Sequence, residues 1–231
     1  MNFVLTMSVL AVATMTSTAR AADSVTLVDF VSGGNLTWVA ENDPVMGGVS
    51  DSNFTLHDDI LSWQGECKIV PSLQAPGFCI VQSYGKHGFL EDVSAMTHLT
   101  LRVKTSSPYS GFKVNLPCPA PSSSVGPGAD LVLQVDFSSA KHPNTQFTSF
   151  KADFPADFKA SGDWQDVAIP FTNFTWDWSS YTGEPVTTCA EDSSKCPTAL
   201  DLKTLMQIGI WAEGVEGAFE LDVESVGAAT M

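Results

Sequence analysis

The chain has 231 residues, of which 44% are hydrophobic and 16% are charged, a composition that can bury a core and excludes a disordered protein. It has 11 Lys and Arg residues against 26 Asp and Glu residues, so the net charge at pH 7 is -15. Because affinity for nucleic acid comes mainly from basic side chains that neutralise phosphates, this balance excludes a nucleic-acid partner. It disfavours an anionic membrane surface for the same reason.

Residues 1–21 have the pattern of a secretory signal peptide. Residues 3–13 are apolar but too few to span a bilayer, and the Ala-Arg-Ala sequence at positions 19–21 fits the pattern that precedes signal-peptidase cleavage. A mitochondrial presequence is the alternative, since the segment lacks acidic residues, but such presequences carry several Arg residues and this segment has one. We expect residues 22–231 to form a single domain in the secretory pathway or outside the cell, not embedded in a membrane.

The hydrophobic pattern downstream has a period of two, which is typical of antiparallel strands with one buried face. Residues 98–104 and 218–224 alternate apolar and polar side chains most clearly, and their expected inward positions are Leu99, Leu101, Val103, Phe219, Leu221 and Val223. Further strand-like runs occupy residues 25–31, 60–63, 78–82, 112–116, 131–137, 164–169 and 206–211. Residues 199–206 have helical character, with Asp201 as the expected N-cap. Many short strands separated by Gly, Pro and Ser turns predict an all-β sandwich or jelly roll.

Glycosylation sequences and cysteines both agree with a secretory route. The asparagines of the Asn-x-Thr acceptor sequences are Asn35, Asn53 and Asn173. The spacing of the 5 cysteines matches no zinc site, and the short polar loop between Cys189 and Cys196 makes a disulfide between them the first choice. A Cys67–Cys79 bond, between strands expected to be neighbours, is the second choice. The alternative is that Cys67, Cys79 and Cys118 are buried free thiols.

Motifs for catalysis are absent from the sequence: it has no G-x-S-x-G elbow, H-E-x-x-H helix, phosphate-binding glycine loop or dinucleotide fingerprint. We therefore predict no catalytic residue and no enzyme activity; a hydrolase is the alternative, supported only by the many carboxylates. His87, in a glycine-flanked loop, could face a ligand, although loop histidines are more often solvated. We predict no cofactor other than a structural calcium ion, for which Asp29, Asp222 and Glu224 are candidate ligands if the first and last strands pair. A solvated acidic face is the alternative there.

A long loop, residues 172–198, carries Trp176, Trp178 and Tyr181. Aromatic faces beside polar groups could stack on a sugar ring, which requires that both indoles are exposed on one side of the loop. The alternative is that these rings pin the loop to the sandwich. These three residues are therefore candidate ligand contacts.

The most specific pattern lies in residues 38–50, WVAENDPVMGGVS. It resembles the opening signature of the complex I intermediate-associated protein 30 family, in which a Trp is followed by Asn-Asp and then by Val-Met-Gly-Gly-x-Ser. Residues 164–171, WQDVAIPF, are similar to that family's W-x-x-V-x-x-P-F strand, and the resemblance extends over about residues 25–226. The residues that carry it are Trp38, Asn42, Asp43, Met46, Gly47, Gly48, Ser50, Trp164, Pro170 and Phe171.

The resemblance implies a galactose-binding-like jelly-roll β-sandwich that acts without catalysis. Family members act as protein-binding assembly factors for respiratory complex I or photosynthetic complexes, so the first functional prediction is binding of a protein partner. The alternative is a secreted carbohydrate-binding β-sandwich, since related jelly rolls carry carbohydrate-binding modules. Each motif residue also has a structural interpretation: Asn and Asp cap turns, glycines allow tight turns, and tryptophans anchor cores.

Overall fold

The computed structural model describes residues 23–30, 36–43, 47–85, 90–119, 147–179 and 182–231. Within these ranges the chain forms thirteen strands and one helix, α1 (Ala199–Lys203). The strands are β1 Ser24–Asp29, β2 Leu36–Asn42, β3 Asp51–His57, β4 Ile60–Cys67, β5 Ile69–Val70, β6 Ala75–Pro76, β7 Phe78–Gly85, β8 His98–Lys104, β9 Phe112–Pro119, β10 Phe147–Asp153, β11 Gln165–Pro170, β12 Gly209–Glu213 and β13 Gly217–Ala229. Short 3-10 turns cover Phe171–Asn173 and Ser193–Lys195. No helix in these ranges has the length and apolar character that crossing a bilayer requires.

Two antiparallel sheets pack face to face, which confirms the predicted galactose-binding-like jelly-roll β-sandwich. Sheet A has six described strands in the order β11-β8-β13-β4-β3, with β1 also paired to β13. Sheet B has five described strands in the order β10-β9-β12-β7-β2. The small hairpin β5-β6 lies between β4 and β7 in sequence. The last strand, β13, is the longest of the described strands. On one side it pairs with β8, and on the other side its first part pairs with β4 and its last part with β1.

The core lies between the inner faces of the two sheets. The six positions predicted to point inward from β8 and β13 are all buried. An aromatic cluster joins the sheets: Trp63 of β4 lies 4.5 Å from Phe219 of β13 and 6.4 Å from Phe112 of β9, between ring centroids. Tyr109 packs edge-on against Phe112 at 5.1 Å. Aromatic pairs in this distance range add to the stabilisation that burial of their area already provides.

Several element predictions need correction. Helix α1 ends at Lys203, and its N-cap is Thr198, whose side chain accepts from the backbone N–H of Asp201. Asp201 instead occupies the third helical position of a capping box. Strands β2, β3, β5, β6 and β10 were not predicted from the alternation pattern, and β2, β3 and β10 are terminal strands of their sheets. The strand-like run at residues 131–137 lies outside the described residues.

The second-choice disulfide, Cys67–Cys79, is also wrong. Cys67 ends β4 in sheet A and Cys79 lies on β7 in sheet B, so the two residues are on facing sheets and not on paired strands. Both are buried free thiols, as is Cys118. The Cys67 thiol donates to the carbonyl oxygen of Ala212 at 2.9 Å, and burial raises the pKa of Cys118. The thiols of Cys67 and Cys79 contact each other without being joined, and the thiol of Cys118 donates to Asp201 Oδ1 at 3.6 Å.

The Asn-Asp motif forms a buried hydrogen-bonded junction around Asp43, which is 1% exposed. Its carboxylate accepts from the backbone N–H of Ser50 (2.9 Å), from the Ser50 hydroxyl (2.7 Å) and from the backbone N–H of Phe78 (3.3 Å). The Ser50 hydroxyl in turn accepts from the backbone N–H of Lys68 at 3.0 Å. The junction therefore ties the β2–β3 connection to β7 and to the end of β4.

Two glycines make room for this carboxylate. A Cβ atom at Gly77 would lie 1.5 Å from Asp43 Oδ2, and one at Gly48 would lie 2.1 Å from Asp43 Cγ. Gly47, next to Gly48, has a φ of +77° and open space around it. Glycine is therefore favoured there because of the backbone conformation and not because of a steric contact. The motif glycines thus serve the packing and the turn of this junction.

We expect Gly77→Ala to lower the free energy of unfolding by more than about 3 kcal/mol, because the added methyl group overlaps a buried, fully hydrogen-bonded carboxylate. Gly162→Ala is the matched control, since Gly162 has a φ of +74° with nothing within 4 Å of its Cβ position and should cost only roughly 1–2 kcal/mol. Urea unfolding of the two variants and the wild type measures both values. Equal losses would contradict the steric role of Gly77.

Candidate functional site

The predicted aromatic platform is not exposed. Trp178 is 5% exposed, and its indole N–H donates to the carbonyl oxygen of Thr175 at 2.9 Å. Trp176 is partly buried against the core, its indole N–H donates to the carbonyl oxygen of Ser194, and Lys195 Nζ lies 3.8 Å above its ring. Tyr181 lies outside the described residues. The expectation of two exposed rings is therefore wrong for Trp178, and these contacts favour the alternative in which the rings anchor the loop.

A disulfide and local hydrogen bonds hold the distal part of the same loop. Cys189 and Cys196 are joined in a disulfide, with their Cα atoms 4.8 Å apart. Asp192 caps the intervening 3-10 turn by accepting from the backbone N–H of Ser194 at 2.9 Å, and this bond lowers the pKa of the Asp192 carboxyl. Lys195 also pairs with Asp177 at 3.4 Å. The loop is thus tied to itself and, through Trp178, to sheet B.

Beneath Trp178, the outer side of sheet B carries an unusual set of side chains. We call it the polar face; its members are Gln82, Lys113, Asn115, Lys151, Gly209, Trp211 and Glu213. They alternate with core residues such as Val81, Val114 and Ile210, so they point away from the core. In the strand register, Trp211 lies opposite Lys113, and Gly209 lies between Gln82 and Asn115. Every member with a side chain is buried to a tenth or less of its full exposure.

The charges of the polar face are internally balanced. Lys151 Nζ lies 2.5 Å from Glu213 Oε2 and 4.0 Å above the ring of Trp211, and Lys113 pairs with Asp153. Both ammonium groups lie 5.1 Å from the centroid of Trp178. Burial lowers the pKa of Lys151, and the neighbouring Glu213 carboxylate opposes that shift. With each cation matched by an anion, the face presents little net charge to a ligand.

On or next to β12, two buried polar side-chain atoms have no hydrogen-bond partner among the described residues. They are the indole N–H of Trp211, which is 9% exposed, and the Oε1 atom of Gln207, which is 3% exposed. Gln207 lies two residues before β12, in which Gly209 and Trp211 belong to the polar face. A buried polar group without a partner costs roughly 1–3 kcal/mol. The described part of the chain therefore leaves unused one donor of the polar face and one acceptor two residues before β12.

The polar face was missed by sequence reasoning. One signal for it is present: Lys113 and Asn115 alternate with Phe112 and Val114, so a strand with one core face must carry a lysine and an amide on the other. The pairing of Lys151 with Glu213 carries no signal in the sequence, because the two residues are 62 positions apart.

The candidate calcium ligands do not come together in the described residues. The first and last strands do pair, with Asp29 opposite Ser225. However, Asp222 is bound to Lys104 at 2.9 Å, and Glu224 lies 3.7 Å from Arg102. No group of three or more potential metal ligands occurs within the described ranges. The carboxylates of this surface face basic side chains, which satisfies their charge.

The other predicted residues have separate places. Asn53 is exposed on β3 and Asn173 is exposed in the 3-10 turn after β11, so both acceptor asparagines are accessible. Trp38 and Phe171 are buried, while Trp164 is half-buried beneath Lys104, with Nζ at 5.0 Å from its ring. Asn42 is hydrogen-bonded to Ser52 (2.6 Å), and Pro170 pairs with His98. Asn35, Met46 and His87 lie outside the described residues.

A polar groove of about 350 Å³ lies on the outer side of sheet A. It is lined by Asn53, Ser62, Gln64, Lys104, Glu220 and Asp222, among others. The Ser62 hydroxyl donates to Asp222 at 2.7 Å, so the contact of Ser62 with His57 Nε2 at 3.0 Å does not prepare the hydroxyl as a nucleophile. The hydrogen-bonding groups of this groove are largely paired with one another, in contrast to those of the polar face.

A family model described as complex I intermediate-associated protein 30 matches residues 28–223 of the chain, which is well over half of it. The chain belongs to this family. No curated protein matches the chain. Among the family motif residues that the structure describes, Asp43, Gly48 and Ser50 form the Asp43 junction, Trp38 and Phe171 lie in the core, and none belongs to the polar face.

Two solved structures with the same architecture are carbohydrate-binding modules. The family 11 module from Clostridium thermocellum, in complex with a β-1,3-1,4-mixed-linked tetrasaccharide, has a TM-score of 0.50 and 12% identity, over 90% of this chain and 96% of that one. The family 11 module of the cellulosomal cellulase Lic26A-Cel5E of the same organism has a TM-score of 0.50 and 13% identity, over 90% and 95% of the two chains. At these identities the likeness concerns the fold alone.

We expect Trp178→Ala to lower the free energy of unfolding by about 3 kcal/mol or more, because the indole is buried between the loop and two lysines of sheet B. Trp176→Ala should cost less, since its ring is only partly buried. Chemical denaturation followed by circular dichroism measures both losses. A loss below about 1 kcal/mol for Trp178→Ala, the size expected of a surface change, would contradict the anchoring role.

The disulfide closes a loop with a sequence separation of 7, so its removal should lower the free energy of unfolding by about 2–3 kcal/mol. Non-reducing peptide mapping should recover Cys189 and Cys196 in one cross-linked pair. The Cys189→Ser/Cys196→Ser double variant should then melt at the temperature of the reduced wild type, and adding a reductant to the variant should change nothing. Recovery of both residues as alkylated free thiols would contradict the bond.

Proposed function

We propose that this family member is a secreted, non-enzymatic carbohydrate-binding module and that the polar face of sheet B is its ligand site. The observation that carries the proposal is the buried donor of Trp211 on β12 and the buried acceptor of Gln207, two residues before β12, neither of which has a hydrogen-bond partner in the described part of the chain. Native proteins satisfy most buried polar atoms, so an unmatched pair calls for an external partner. Secretion belongs to this proposal and is supported by the leader-like residues 1–21 and by the disulfide.

The chemistry of the polar face favours a neutral carbohydrate. A hydroxyl group both donates and accepts, so one sugar can serve the indole N–H of Trp211 and the amide oxygen of Gln207 together. The indoles of Trp178 and Trp211 supply apolar surface next to these groups. A charged ligand would find Lys151 and Lys113 already paired, and the net charge of -15 would repel a polyanionic glycan.

Binding of a protein partner, as an assembly factor, is the second candidate. It is favoured by the match to the family model, whose description refers to association with a complex I intermediate. The carbohydrate proposal draws on the fold shared with carbohydrate-binding modules and on the chemistry of this chain's own polar face. The two candidates differ in ligand and can be separated with the same purified protein.

We expect the mature protein to bind neutral oligosaccharides on a glycan array, with mixed-linkage β-1,3-1,4-glucan fragments as the first probe, and to leave polyanionic glycans unbound. Trp211→Phe keeps an aromatic side chain but removes the N–H together with the five-membered ring, and should weaken binding by about 1 kcal/mol or more, which is roughly fivefold. Calorimetric titration with the glycan that the array identifies measures this loss.

Gln64→Ala is the control, because Gln64 lines the groove of sheet A and should leave affinity unchanged. Melting curves of all variants show that the proteins are folded. A folded wild type that binds no glycan contradicts the carbohydrate proposal and leaves the protein-partner candidate. In that case, co-purification of a specific protein with the wild type but not with Trp211→Phe would still locate the site on the polar face.

A further inference from the structure

One of the glycosylation acceptor sequences lies along the polar groove of sheet A. Asn53 and Thr55, the two defining residues of this Asn-x-Thr sequence, are both exposed and both line the groove. Phe54 between them is partly buried against the core, which turns its two neighbours to the outer side of β3. Because β3 is the terminal strand of sheet A, this acceptor sequence stays accessible in the folded protein.

The acceptor sequence at Asn173 differs in this respect. Asn173 is exposed, but Thr175, the hydroxyl-bearing residue of that sequence, is 1% exposed. The Thr175 hydroxyl donates to the carbonyl oxygen of Thr187 at 2.8 Å, and its backbone exchanges two hydrogen bonds with Lys151 of β10. Since glycosylation requires the hydroxyl residue together with the asparagine, folding closes this acceptor sequence and leaves the one on β3 open.

The groove crosses sheet A between two rows of outward-facing polar side chains. The strand register aligns the first row as Asn53, Gln64 and Glu220, and the second row as Thr55, Ser62, Asp222 and Lys104. Gln64 Nε2 donates to Asn53 Oδ1 at 3.5 Å, an atom that glycosylation leaves in place. A sugar joined to Asn53 Nδ2 therefore starts at one end of the groove.

The groups of the groove suit a ligand that is already attached to the chain. Lys104 is bound to Asp222 at 2.9 Å, and the backbone N–H of Ser106 donates to Glu220 at 3.3 Å. A free ligand gains little by replacing hydrogen bonds that exist already, so its affinity would be low. A tethered sugar needs little affinity, because its binding is intramolecular, with an effective concentration on the order of millimolar.

The size of the groove fits the base of a glycan. Its volume of about 350 Å³ is at the lower end of the range for small-ligand sites, roughly 300–1,000 Å³, which is enough for the first one or two sugars. Sugar hydroxyls both donate and accept, so they match the amide of Gln64 and the hydroxyl of Thr55 that line it.

We propose that Asn53 carries an N-linked glycan and that its first sugars lie in the groove of sheet A. In the transfer, Asn53 Nδ2 forms a bond to C1 of the N-acetylglucosamine of a lipid-linked oligosaccharide pyrophosphate. The bond between C1 and the pyrophosphate oxygen breaks, the lipid pyrophosphate leaves, and the amide nitrogen loses one proton. The filled groove is then closed to a second ligand. This inference rests on the secretory route of the proposed function and is independent of the ligand of the polar face.

The first part of the test uses the full chain secreted from cultured eukaryotic cells. Enzymatic release of the glycans in heavy-oxygen water marks each glycosylated asparagine as labelled aspartate, which peptide mass spectrometry detects. We expect the label at Asn53 in most molecules and at Asn173 in few. Asn53→Gln should lose the glycan and stay folded, whereas Thr55→Ser, which preserves the acceptor sequence, should keep it.

The second part measures where the glycan lies, by the rate at which lysine amines are acylated in the intact proteins. Lys104 should react about threefold more slowly in the wild type than in Asn53→Gln, since a groove filled for about two-thirds of the time exposes its lysine for about a third of it. Lys68 is the matched control, because it is ion-paired with Glu66 at 3.1 Å and is 40% exposed against 33% for Lys104, but does not line the groove. Its rate should be equal in the two proteins.

The outcomes separate this inference from the proposed function. A glycan found at Asn173 and not at Asn53 overturns the inference. Equal Lys104 rates in the wild type and Asn53→Gln, or an equal slowing of Lys68, show a glycan that lies in solvent and overturn its place in the groove. None of these results changes the proposed ligand, because Asn53→Gln should bind array glycans as the wild type does. A chain that is neither secreted nor glycosylated overturns this inference together with the secretory part of the proposed function.

Discussion

The buried carboxylate of Asp43 is the contact on which the arrangement of the two sheets depends. It lies at the end of β2 in sheet B, it is hydrogen-bonded to Ser50 just before β3 of sheet A, and it reaches the backbone of Phe78 at the start of β7. One side chain thus fixes the crossing between the sheets at this corner. A carboxylate that accepts several N–H and O–H bonds is satisfied without a basic partner, which allows it to be buried in the sandwich. The same carboxylate explains why residues 48 and 77 are glycines, because a side chain at either position would overlap the carboxylate of Asp43.

With the sheets held in this way, their two outer sides differ in chemistry. On sheet A, Lys104, Asp222 and Ser62 are bonded to one another and line a groove whose hydrogen-bonding capacity is mostly used. On sheet B, the ion pairs of Lys151 and Lys113 are complete, but Trp211 and Gln207 keep an unused donor and an unused acceptor. Because the charges on this side of sheet B are paired while one donor and one acceptor are not, an uncharged ligand that both donates and accepts hydrogen bonds would fit it best.

The loop of residues 172–198 has a different role from the one its tryptophans suggest. Trp178 lies over the lysines of sheet B, and the disulfide between Cys189 and Cys196 restrains the far end of the loop. Exposed rings would offer a binding platform at the cost of leaving two large apolar surfaces in water. The ring of Trp178 instead covers Lys113 and Lys151 of the polar face, while that of Trp176 packs within the loop against Lys195.

The sequence by itself determined the fold class, the inner faces of β8 and β13, and the family, because alternation in strands with one buried face and the Asn-Asp and Gly-Gly motif are local patterns. It also identified Cys189 and Cys196 as partners, since a short loop brings them together.

Only the tertiary structure decided the polar face. Lys151, Lys113 and Glu213 lie on strands that are adjacent in the order β10-β9-β12 but distant in sequence. Strand order and register decide which side chains meet across a sheet. Both result from the packing of the whole sandwich, so the sequence of one strand does not reveal them.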